Sequence, residues 1–86
     1  MIEKEFYVIA FDSTHYAMKT EKLLKSKFQI EMIPTPREIS ASCGLSIKFS
    51  KAIFESIMET LEGDQGTYKV FLVEKLENGR QVTKVL

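Results

Sequence analysis

Eighty-six residues provide for one domain spanning 1–86, with a modest core and no room for a second. Twelve basic side chains balance twelve acidic ones, and 44% of the chain is apolar, an ordinary globular composition. Zero net charge argues against nucleic acid or an anionic membrane as the main partner, because both reward an excess of Lys and Arg.

The lone cysteine, Cys43, excludes an internal disulfide and fits a reducing compartment. One cysteine and one histidine cannot build a four-ligand zinc site without carboxylates, so no metal and no cofactor is expected. Met1–Glu5 is charged rather than signal-like, and the apolar run Phe6–Phe11 is too short to span a bilayer. The expected location is the cytoplasm.

Glu5–Phe11 is aromatic and β-branched and apolar on both faces, which predicts a central strand. Asp12 or Ser13 then caps a helix over Thr14–Lys27, by accepting a bond from its unpaired N–H groups. Its weak apolar stripe runs through Ala17, Leu24 and Phe28, with Met18 or Thr20 beside them. Gln29–Ile33 reads as a second short strand.

Pro34–Gly44 is then a long loop holding two prolines, Arg37, Ser40, Ser42 and Cys43. A plain connection needs only a few residues, and a loop of this chemistry between strands is a place for function. Gly44–Phe49 alternates cleanly and predicts a half-buried strand, with Ser46 and Lys48 on its polar face. Ser50 caps a second helix over Lys51–Leu61, whose apolar face is Ile53, Phe54, Ile57, Met58 and Leu61. Gly63 stops it. Tyr68–Glu74 is a fourth strand, apolar on both faces. Asn78-Gly79 signals a hairpin that returns Gln81–Leu86 as an edge strand.

The order β-α-β-β-α-β plus one strand predicts an α+β, ferredoxin-like antiparallel sheet. Two helices lie on one face, the strand order is 4-1-3-2, and the extra C-terminal edge strand lies beside strand four. An open α/β sheet with more parallel pairing is the alternative. In the ferredoxin-like arrangement Asp12, Ser13, Thr14 and His15 share one end of the sheet with Ser42, Cys43 and Gly44. The connection Gly63–Thr67 reaches the same end.

A cysteine near a helix N-terminus or an arginine has its thiolate favoured. Arg37 is a candidate second positive charge, or simply the partner of a loop acid such as Glu38. Ser40 and Ser42 can donate to a bound anion or satisfy the loop backbone. Gly44 allows close approach of a bound group. His15 can shuttle a proton to Cys43 or merely face solvent. Cys43 itself is either a reactive thiol or a small buried side chain at a strand start. A Cys-His hydrolase lacks a third orienting residue here. Phe6, Tyr7, Tyr68 and Phe71 lie on strands, but without a basic surplus they read as core or interface rather than as an RNA platform.

The strand end Phe11-Asp12-Ser13-Thr14-His15, then Ala17 and Glu21-Lys22-Leu23-Leu24, and above all Pro36-Arg37-Glu38-Ile39-Ser40-Ala41-Ser42-Cys43-Gly44-Leu45, resemble the bacterial selenium/sulfur carrier-like family over about residues 6 to 62. The resemblance implies a carrier of sulfur or selenium on Cys43, working with donor and acceptor proteins. The alternative is a non-catalytic regulatory or partner-binding module with a structural cysteine. Two helices cover one sheet face only, so the apolar second face predicts a homodimer, formed through the sheet or through the edge hairpin.

Overall fold

A computed structural model describes residues 4–39, 44–61 and 68–85. The order is β1 (Glu5–Phe11), α1 (Thr14–Lys25), β2 (Glu31–Pro34), β3 (Leu45–Ser50), a 3-10 turn (Lys51–Ile53), α2 (Phe54–Leu61), β4 (Tyr68–Leu76) and β5 (Gly79–Lys84). The fold is α+β: a five-stranded sheet in the order β2-β3-β1-β4-β5 with two helices. Every neighbouring pair is antiparallel. The strand neighbours are those expected: β1 lies between β3 and β4, β2 beside β3, and β5 beside β4. An open sheet with parallel neighbours is overturned.

Both N-caps form as the sequence predicts. Ser13 Oγ accepts from the His15 N–H at 3.2 Å, and Ser50 Oγ accepts from the Ala52 N–H at 3.2 Å. Helix α1 stops two residues short of Lys27, where the Ser26 hydroxyl donates to the Leu23 carbonyl at 2.8 Å. The second helix is not α-helical from Lys51. Its first turn is 3-10, and the α-helix begins at Phe54. Gly63 lies outside the described residues.

Strand alternation divides the core in two. On one face Ile9, Phe11, Ile47, Phe49 and Val70 pack under Ala17 and Leu24 of α1 and Ile57 and Leu61 of α2. Thr20, rather than Met18, completes the buried stripe of α1, and Met18 is 60% exposed. Phe6, Val8, Ala10, Phe71 and Val73 form the other face, with Ile39 of the long loop packed on them. The sequence placed that loop at the end of the sheet and left this face bare. Instead Val8 and Val73 are fully buried within one chain, and Ile39 is 5% exposed. The premise of a homodimer formed through that face is thereby removed. Strand β3 is not half-buried either, since Ser46 on its polar side is fully enclosed.

The hairpin turn differs in kind from the one Asn78-Gly79 suggests. Leu76 pairs with Gly79, so Glu77 and Asn78 are the two loop residues. Neither has a positive φ, whereas Gly79 has φ 142°. This is a region that L-residues avoid. A Cβ at Gly79 meets nothing within 4 Å, so the cost of a substitution is purely backbone. Gly79→Ala is expected to lower stability by about 1–3 kcal/mol in urea denaturation, and a loss below about 0.3 kcal/mol would contradict this geometry.

Candidate functional site

Four strand ends meet at one end of the sheet. Strand β1 ends there at Phe11, β2 at Pro34, and β3 and β4 begin there at Leu45 and Tyr68. The register of β1 with β3 runs to Ala10 opposite Ser46. Continued by two residues, it sets Asp12 opposite Gly44. Helix α1 starts immediately after, with Ser13 as its cap and no acidic residue in its first turn. The positive end of the α1 dipole therefore lies at the end of the sheet where the long loop closes.

The loop is pinned at its neck. The Thr35 N–H donates to the Gly44 carbonyl at 2.9 Å, and the Thr35 and Ser46 hydroxyls share a bond of 2.7 Å. The two ends of the loop are therefore closely apposed. Beyond the neck, the Ile39 N–H donates to the Pro36 carbonyl at 3.0 Å, closing a turn over Pro36–Ile39. Pro36 and Ile39 are buried, whereas Arg37 and Glu38 at its corner are exposed. The turn thus has a buried foot on each side and a charged tip.

Glu38, at that tip, is held by Arg80 of β5. Arg80 Nε reaches Oε2 at 2.8 Å and a terminal nitrogen reaches Oε1 at 2.9 Å, a two-pronged geometry. The Arg80 hydrogen bond holds the Glu38 carboxyl below the usual carboxylate range, with Arg37 as a weaker contributor. The sign follows from that shift. The pair contributes fully above the ordinary carboxylate pKa, and its contribution is lost as pH falls through the lowered value in the folded chain.

The expected site residues divide as follows. Ser13, Thr14 and His15 stand at the end of the sheet where the loop closes. The Ser13 hydroxyl is occupied as a cap. His15 is exposed, with its ring edge-on to Tyr16 at 5.9 Å. Gly44 is exposed, lacks a positive φ, and an added Cβ would meet no described atom within 4 Å. Arg37 is exposed and makes no ion pair among the described residues. Glu38 takes its partner from Arg80, not from Arg37. Ser40, Ser42, Cys43 and Gly63–Thr67 lie outside the described residues. Phe6 and Phe71 are buried, so they are core. A hollow of about 420 Å³, lined by Gln29, Lys48 and Ile53 among others, lies at the opposite end of the sheet.

Residues 6–72 match the family described as "Putative Se/S carrier protein-like". The chain belongs to this family. The carrier-like segment includes Cys43, the loop and both helices, and it stops inside β4. An uncharacterized protein of Methanocaldococcus jannaschii is 38% identical over 42 residues, which is 49% of this chain. The matched stretch spans 21% of that protein's length. No solved structure matches the chain.

The sequence reading missed Thr35, Ile39, Ser46 and Arg80 as the residues that set the loop's course. One signal for them was present. Ile39 is a β-branched apolar residue in an otherwise polar loop, two positions after an arginine and one after a glutamate.

Proposed function

We propose that the protein is a small thiol carrier, working in the reducing cytoplasm, that accepts reduced sulfur or selenium on Cys43 and passes it on. Family membership across residues 6–72, including the lone cysteine, carries this reading. The ferredoxin-like assignment rests on the strand order and the two helices.

The chemistry is a balanced exchange. The Cys43 thiolate attacks the outer sulfur of a persulfide on a donor protein. The donor's S–S bond breaks, a new S–S bond forms on Cys43, and the donor leaves as its thiolate. No oxidant is consumed. A second thiolate, on an acceptor, reverses the step. The α1 N-terminus and Arg37 favour the anionic sulfur, the backbone and hydroxyls of Ser40–Gly44 line it, and exposed His15 takes up or returns the proton. Donor and acceptor proteins are the partners, and the chain need not turn over a substrate alone.

Intact mass spectrometry of protein purified without reductant should show the added mass of one sulfur or one selenium. That mass should vanish in Cys43→Ala. A cysteine that never carries it, and that alkylates with the pH dependence of a free thiol, sinks the carrier reading. Gly44 supplies a second test, because nothing described in the fold requires a glycine there. Gly44→Ala should leave stability within about 0.5 kcal/mol of the parent chain. It should nevertheless slow transfer from a small-molecule persulfide if a bound group approaches that backbone. Unchanged transfer would remove Gly44 from the site.

A further inference from the structure

We infer that the C-terminal hairpin is a latch on the long loop: Arg80 grips Glu38 and keeps Ile39, on the arm that leads toward Cys43, seated on the second sheet face. The hairpin strand β5 lies beyond the residues matched to the family. The latch deepens the carrier reading and rests on it only for what Cys43 holds.

The geometry is that of a strap across the sheet. The loop leaves the sheet from β2, at one edge, and Glu38 is gripped from β5, at the other. Four interstrand steps cover about 19 Å. Arg80 lies opposite Lys75, toward the end of β4 away from Pro34, so the path from Thr35 through the Pro36–Ile39 turn to Arg80 runs obliquely over the second face, and the Glu38 and Arg80 side chains complete it. The strap therefore has to cross β3, β1 and β4. Ile39 sits midway on Phe6, Val8, Ala10, Phe71 and Val73.

The two anchors do different jobs. Burial of Ile39 supplies most of the docking energy but is non-directional. The fork of Arg80 fixes where the turn lands, because both carboxylate oxygens must be met at once. The Glu38 and Arg80 side chains remain 39% exposed, so the pair is open to competition from salt. A strap held by the buried feet Pro36 and Ile39 and one exposed ion pair can lift without the sheet unfolding.

The test reads the strap without using Cys43. In Cys43→Ser/Ile39→Cys, iodoacetamide reaches the thiol introduced at position 39 only when the strap lifts. Adding Arg80→Ala should raise the labelling rate about two- to fivefold, the range of a modest ion pair. Arg80→Lys should raise it nearly as much, because an ammonium cannot form the fork. The charge swap Glu38→Arg/Arg80→Glu should return the rate most of the way to that of the background. Salt at about 1 M should speed labelling of the background but not of the Arg80→Ala chain. Equal rates with and without Arg80 overturn the latch. Should the labelling background fail to fold, hydrogen exchange at the Ile39 amide in chains with the native Ile39 gives the same reading. Absence of sulfur on Cys43 would end the carrier reading and leave these rates untouched.

Discussion

Val73→Asp is expected to leave the chain unfolded at neutral pH, whereas Gln81→Asp on the neighbouring strand is expected to fold. Val73 is fully buried on the second sheet face. Its cross-strand neighbours, Phe6 and Val82, are both apolar. The nearest cations in register on that face, Lys75 along the same strand and Arg80 opposite it, are both exposed, and Arg80 already holds Glu38. A carboxylate there loses its water among apolar neighbours and finds cations only at the exposed margin of the face, at an effective cost of several kcal/mol. The whole stability of a domain this size is about 5–15 kcal/mol, so the substitution consumes much or all of it. Gln81 is exposed, and a charge there stays solvated. The measurement is far-UV circular dichroism with thermal melting. If the second face were bare, Val73→Asp would be solvated too and would melt within a few degrees of the parent. That outcome would contradict the strap.

This contrast also shows where the sequence was readable. A period-two run gave β3, aromatic and β-branched runs apolar on both faces gave β1 and β4, and serines in front of helical stripes gave both caps. These signals are local, so one chain suffices to read them. The doubly apolar β1 could only be central, and the strand order followed from connection rules. The course of the long loop was not readable in that way. Ile39 meets Val73 across 34 positions of sequence, and Glu38 meets Arg80 across 42. No periodicity links such residues. The doubly apolar strands did signal that something must cover the second face. The cover was assigned to another molecule because a polar, proline-bearing loop does not look like core. A single isoleucine between Glu38 and Ser40 carried that information. The end of the sheet was legible through topology, yet that part of the site depends on the loop, whose direction only the fold reveals.

Ile39→Ala is expected to cost about 2–4 kcal/mol, a core-sized penalty from a loop residue. Ile39 is 5% exposed and belongs to the buried cluster of Phe6, Val8, Ala10, Phe71 and Val73. Truncation removes most of the buried methyl and methylene groups of that contact. Two responses are open to the chain. The loop stays down over a cavity, or it lifts and uncovers Phe6 and Phe71. The second response sets an upper limit on the cost, because the penalty cannot exceed the free energy of docking the strap. Urea denaturation measures the loss, and a hydrophobic dye distinguishes the two responses. Dye binding to the folded variant marks a lifted strap, and no binding marks a retained cavity. Arg80→Ala combined with Ile39→Ala then tests coupling. With the strap already lifted by Ile39→Ala, removal of Arg80 should cost nothing further, whereas over a cavity the two losses should add. A loss below about 0.5 kcal/mol for Ile39→Ala alone would show that this face does not depend on the loop, and the latch would fall with it.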